Sequence, residues 1–247
     1  MSIRKHAATA AVAAAAALAV AAGAAPAAVA ATATARPGAT TVCGSTCQDV
    51  WGPLFGPQLI LNATNLGAIH PGALQGRKLN LRQGSNSATN EDFEVFQVGV
   101  LHQFCTASGG NGQVPSTSYA CLTLLPSNPN SAVFEVQFAP NSDETHFCAG
   151  ALAPTNNFKI RLEHCGSRLT FFVEDNADEV ETSAGEFVPL IFAADRASSH
   201  PLVATVLEFS TSPVKRLVIR RLDRTSAGDP VNAQLAHKPP TDGPFGS

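Results

Sequence analysis

The chain has 247 residues, a formal net charge of −3, and 45% hydrophobic against 14% charged residues. That length and apolar content suit one β domain, or two small ones, with an ample core. The mildly acidic balance offers no electrostatic case for nucleic acid or an anionic membrane surface as partner.

Arg4 and Lys5 are followed by an alanine-rich apolar run to about Ala31, then by small residues ahead of Arg36-Pro37. This three-part layout predicts a secretory signal peptide over 1–35, cut after Ala33 or Ala35. The expected product is secreted and extracellular. No later stretch approaches the ~18 continuous apolar residues of a spanning helix, so no permanent membrane association is expected.

Residues 36–55 form a Gly/Pro-punctuated lead-in carrying Cys43, Cys47 and the lone Trp51. From 56 to 224 a single β domain is expected. Short apolar or alternating runs fall at 57–64, 77–83, 92–98, 100–105, 119–125 and 132–138. They continue at 157–164, 167–174, 186–193, 202–209 and 215–222, divided by Gly, Pro, Asn or Ser. Fourteen phenylalanines stand against one Tyr and one Trp. Phe has no polar handle, so Phe93, Phe96, Phe134, Phe138, Phe171, Phe172, Phe187 and Phe192 are expected in the core. Residues 225–247, rich in Pro and Gly with little to bury, are expected as a flexible tail.

All six cysteines follow the leader, which in an oxidising compartment predicts three disulfides. Fifteen connectivities exist for six cysteines. Cys105 and Cys121 recur as Cys148 and Cys165, 43 and 44 residues further on, which favours Cys105–Cys121 and Cys148–Cys165 and leaves Cys43 for Cys47. Each longer bridge closes a loop of about 16 residues, worth roughly 3 kcal/mol in chain entropy. Equivalent places in successive repeats would let one geometry serve both.

The repeat extends to strand, polar loop and strand. Lys78-Leu-Asn-Leu leads to Asp92-Phe-Glu-Val, Cys121-Leu-Thr-Leu to Val133-Phe-Glu-Val, and Arg168-Leu-Thr-Phe to Glu186-Phe-Val-Pro. Units of this pitch assemble into closed β structures. The pattern over roughly Gly56 to Leu222 resembles a β-trefoil domain, without the Gln-x-Trp motif of its ricin-type lectin branch. The resemblance implies an all-β, trefoil-like closed structure; a β-sandwich is the alternative.

Candidate chemistry is sparse. His102, His146 and His164 lie near cysteines in a way that invites zinc, but disulfide sulfur is no thiolate, so no metal or other cofactor is expected. A serine with Asp195 and His200 makes a paper triad lacking the G-x-S-x-G elbow, so no catalytic residue is assigned. Glu174, Asp175, Asp178, Glu179, Glu181 and Glu186 read as a solvated acidic loop without EF-hand spacing. Asn62-Ala-Thr64 matches a glycosylation acceptor. The strongest charged patch is KRLVIRRLDR, where Lys215, Arg216, Arg220 and Arg221 form a possible binding surface for an acidic protein or polysaccharide. An edge strand whose charges resist aggregation explains the patch equally well.

The expected function is non-enzymatic binding of an extracellular carbohydrate or protein. A proteinaceous inhibitor of a secreted hydrolase, presenting loop 107–118, and an unassigned extracellular hydrolase are the alternatives.

Overall fold

The computed structural model describes residues 59–63, 74–83, 91–140, 145–183, 185–207, 214–238 and 242–244. Every element below lies within Gly38–Ser247. The expected leader, the lead-in and the Cys43–Cys47 pair lie outside the described residues.

The fold is β-rich, with two sheets. In chain order the strands are β1 (Leu59–Ala63), β2 (Leu79–Gln83), β3 (Phe93–Val100), β4 (Ala132–Phe138), β5 (Phe147–Gly150), β6 (Phe158–Lys159), β7 (Arg161–His164) and β8 (Phe172–Glu174). They continue as β9 (Val180–Thr182), β10 (Gly185–Val188), β11 (Leu190–Phe192), β12 (Leu202–Leu207), β13 (Val214–Arg221), β14 (Ala236–His237) and β15 (Asp242–Pro244). The larger sheet has 12 strands and runs β1-β2-β13-β12-β11-β8-β4-β3-β15, with β5 beside β4 and β7, and β6 beside β13. The smaller one is β14-β10-β9, and the ladders of both are antiparallel.

Both faces of the large sheet are apolar, because alternate residues feed different clusters. Phe134, Phe172 and Phe192 occupy one face in successive strands, with ring centroids 6.2 and 5.9 Å apart. Their chain neighbours Val133, Val173 and Ile191 form a row on the other face with Val203. All eight phenylalanines assigned to the core are buried. Gly150 marks a close approach: a Cβ there would strike the carbonyl oxygen of Leu169, the acceptor for Ala151 N–H.

The second face is covered by 101–125, which departs from the expected strands. Leu101–Gln103 is a 3₁₀ turn, and Ala120–Leu124 is a π-helical turn running into the short helix Leu125–Ser127. Burial explains both. Leu101, Phe104 and Cys105 are inside, as are Ala120, Cys121 and Leu124. Those are helical spacings, whereas alternation would have turned Leu101 and Phe104 to opposite sides. Ser118 Oγ caps the second turn by accepting Cys121 N–H at 3.2 Å.

The bridges Cys105–Cys121 and Cys148–Cys165 are both formed. Their settings differ, so one geometry does not serve both. Cys105–Cys121 clips two helical turns together, whereas Cys148–Cys165 ties β5 to the residue after its ladder partner β7. The repeat is therefore structural only in part: Lys78-Leu-Asn-Leu leads into a strand, and Cys121-Leu-Thr-Leu is helical.

The C-terminal stretch is drawn into the domain where composition suggested a trailing tail. Gln234, Leu235 and Ala236 are buried, β14 pairs with β10, and β15 pairs with β3. Gln234 supplies the reason: its side chain bonds Asp223 N–H, the Arg221 carbonyl and Thr205 Oγ1.

Candidate functional site: a basic pocket beside β13

Antiparallel pairing puts directly opposed residues on the same side of a sheet. Arg216 opposes Asn80, Val218 opposes Lys159, and Lys78 bridges Arg161. Positions two apart on a strand share a side, so Lys78, Asn80, Lys159, Arg161, Arg216 and Arg220 all project from one side. Arg220 opposes Val203, which places this on the side that 101–125 covers further along the sheet.

The backbone holds these positions firmly. Gly76, at φ +76, turns the chain so that its N–H reaches the Leu162 carbonyl at 2.7 Å, and Leu162 N–H returns to the Arg77 carbonyl at 2.8 Å. Ile160 N–H bonds the Leu217 carbonyl at 3.1 Å and Asn157 N–H the Ile219 carbonyl at 2.8 Å, fixing Lys159 against β13.

Lys78, Lys159 and Arg216 line a pocket of about 390 Å³ with Asn80, Val214 and Leu217. That is near the lower end of the ~300–1,000 Å³ range of ligand sites. The Lys159 ammonium is held below the usual lysine range, chiefly by the charge of Lys78, then Arg216, then burial and Arg161. Four cations therefore share one field. Arg161 Nε is buried with no hydrogen-bond partner. Glu163, two residues along, is the acid nearest in sequence; burial pushes its carboxyl up, against the pull of a Gln75 hydrogen bond and Arg161.

The four basic residues singled out in the sequence do not act as one surface. Arg216 lines the pocket and Arg220 is exposed on the same side. Lys215 opposes Leu81 and Arg221 opposes Leu202, on the face of the main core. Arg221 reaches Asp195 Oδ2 at 2.7 Å and the His200 carbonyl at 2.8 Å. Lys78, Lys159 and Arg161 went unseen because they belong to separate segments that only strand register unites. The alternation of β6 and β7, with Lys159, Arg161 and Glu163 in step, was the available signal.

Asp195 serves the turn before β12. Its Oδ2 also accepts Leu202 N–H at 2.8 Å and its Oδ1 accepts Ala197 N–H at 3.3 Å, while the His200 ring lies 3.1 Å from Ser199 Oγ. Loop 107–118 is tied down by Gly110 N–H to the Cys105 carbonyl and Asn111 N–H to the Gln103 carbonyl, with Val114 buried. Asn62 is buried and its Nδ2 donates to Glu91 Oε1 at 3.3 Å, which closes it to a glycosyl donor.

The acidic segment is not a solvated loop throughout. Glu174 and Asp175 are buried at the end of β8, and β9 and β10 form a hairpin after them. Burial pushes each carboxyl up to about 7, with Asp178 adding to the rise at Asp175. Arg224 grips both oxygens of Asp178, and burial together with these acids pushes the Tyr119 phenol up to about 12.

Among the described residues one metal-compatible group converges, Glu135 with Cys148 and Cys165. Both sulfurs are in a disulfide, and Glu135 Oε1 already accepts Gly166 N–H at 2.6 Å and Thr170 Oγ1 at 2.5 Å. The donor set does not fit a cation. No helix among the described residues is long and apolar enough to cross a membrane. In comparison with known proteins, no family model, curated protein or solved structure matches the chain.

Proposed function

We propose that this is a secreted, non-enzymatic binding protein whose basic pocket beside β13 receives an acidic extracellular partner, a polysaccharide in preference to a protein. The observation that carries this reading is the gathering of Lys78, Lys159 and Arg216 around one pocket, in a chain whose net charge is negative. A local field opposed to the global one selects partners by charge at that spot rather than over the whole surface. A pocket favours a slender chain over a protein face, which needs about 800 Å² per side to bind stably.

We propose further that the large sheet closes into a trefoil-like ring. Support comes from the Lys78–Arg161 bridge with its flanking hydrogen bonds, which lets pairing be followed from β2 through β13, β12, β11, β8, β4, β5 and β7 back to the segment before β2. Such a ring would leave the basic side outward.

Retention on an immobilised acidic polysaccharide tests the reading. The protein should be held at low salt, released by added salt and by the free acidic sugar, and weakened at least tenfold by Lys159→Glu or Arg216→Glu. Passage without retention, or retention indifferent to both variants, would overturn it.

A further inference from the structure

We infer that the Lys78–Lys159–Arg216 pocket is a site for one compact tetrahedral oxyanion, a phosphate group, either free or as a monoester on a larger molecule. This deepens the binding reading above and rests on it.

The three cationic side chains come from three separate segments: one just ahead of β2, one on β6 and one on β13. They approach a shared space from different strands instead of standing in a row along one. A carboxylate offers two oxygens in a plane, whereas a phosphate monoester offers three terminal oxygens in a pyramid and carries nearly two charges at neutral pH. Three cationic donors lining one pocket suit three terminal oxygens better than two, and Arg216 adds a planar fork suited to phosphate oxygens. Asn80 contributes an amide at the same rim, and Val214 gives the pocket an apolar edge.

The surrounding charge points the same way. No carboxylate lines the pocket among the described residues. Arg161 reinforces the field on Lys159 from the next position on that side, and its buried Nε lacks a partner. Glu163 lies beyond Arg161 and offsets that one guanidinium in part. A dianion seated among the cations would relieve their mutual repulsion, which binding of a neutral sugar would leave untouched.

Amide NMR titrations of the full-length protein, at fixed ionic strength and pH 7.5, provide the test with inorganic phosphate, glycerol phosphate and acetate as probes. Phosphate should give saturable shifts centred on Lys78, Asn80, Lys159 and Arg216, with acetate at least tenfold weaker. Lys159→Gln and Arg216→Gln should each weaken phosphate at least tenfold with the folded spectrum retained. Lys215→Gln, on the other side of β13, should change it less than twofold. Glycerol phosphate binding as tightly as inorganic phosphate assigns the site to an ester; tighter binding of the inorganic ion assigns it to free phosphate. Non-saturating shifts, equal response to acetate, or indifference to both pocket variants would overturn the inference. If polysaccharide retention still depends on Arg216 in that event, the oxyanion assignment fails alone. If that dependence is lost too, the parent reading fails with it.

Discussion

Lys78, Lys159, Arg161 and Arg216 gather on one side of β13 and its neighbours, with Lys78 and Arg216 exposed to water, whereas Glu174 and Asp175 at the end of β8 are packed away from it. Side-chain length separates the two regions. Long lysine and arginine side chains let Lys78 and Arg216 keep their heads in solvent, so the repulsion they exert is partly screened. Glutamate and aspartate at buried backbone positions cannot reach out, so desolvation dominates and a proton neutralises them. One cluster keeps its charge at the surface. The other gives its charge up, and its cost surfaces as pH dependence.

The largest expected effect comes from the acids. With carboxyls at about 7 in the fold and near 4 in the unfolded chain, the native state binds protons more tightly between those values. Stability is therefore fullest below about pH 4, declines as pH rises through 7, and is flat above. At about 1.4 kcal/mol per pH unit for each group, Glu174 and Asp175 together should remove roughly 3–6 kcal/mol between pH 4.5 and 7.5. Urea unfolding at those two values measures this. Asp175→Asn keeps the acceptor for Ala177 N–H and should flatten about half the slope. Equal stability at both values would show that these carboxyls ionise freely, and the contrast with the basic side would collapse.

Asp195 sharpens the comparison as a buried acid whose two oxygens both find partners. It accepts two backbone N–H groups and the Arg221 guanidinium, so its deletion strands donors instead of removing a burden. Asp195→Ala should lower stability by about 2–4 kcal/mol at pH 7.5, where Asp175→Asn should raise it. The Arg221 side chain is 40% exposed, so much of the loss is assigned to the Leu202 N–H left buried without an acceptor. A loss below about 0.5 kcal/mol would mean that water replaces the carboxylate there.

What the sequence disclosed divides along similar lines. The run 132–138 became β4 residue for residue, and the phenylalanines lie where their lack of a polar handle implied. Runs 100–105 and 119–125 misled because short, mostly apolar runs fit a strand or a helical turn until something covers them. Glu174 and Asp175 looked solvated because nearby acids suggest a surface, and nothing in the run tells that β8 drives its first two residues inward. The basic pocket was legible only through Arg216. Lys78 and Lys159 become its neighbours through the pairing of β13 with β2 and with β6, which is information about register rather than composition.

The smallest expected change is in the stability of Arg216→Gln. Arg216 is exposed, and its charge helps hold the Lys159 ammonium below the usual lysine range, so its removal gives up its own surface interactions and lightens a repulsion. The two contributions oppose each other, and exposed substitutions of this kind fall within about 0.5 kcal/mol. Urea unfolding at pH 7.5 should therefore be nearly unchanged in the same variant that loses phosphate. A site kept for a ligand shows that pattern, because its like charges are tolerated by the fold without supporting it. A loss above about 1.5 kcal/mol would place Arg216 among the residues that hold β13 in register, as Asp195 holds its turn. The basic side would then be a structural feature, and the distinction between the two charge clusters would no longer separate function from stability.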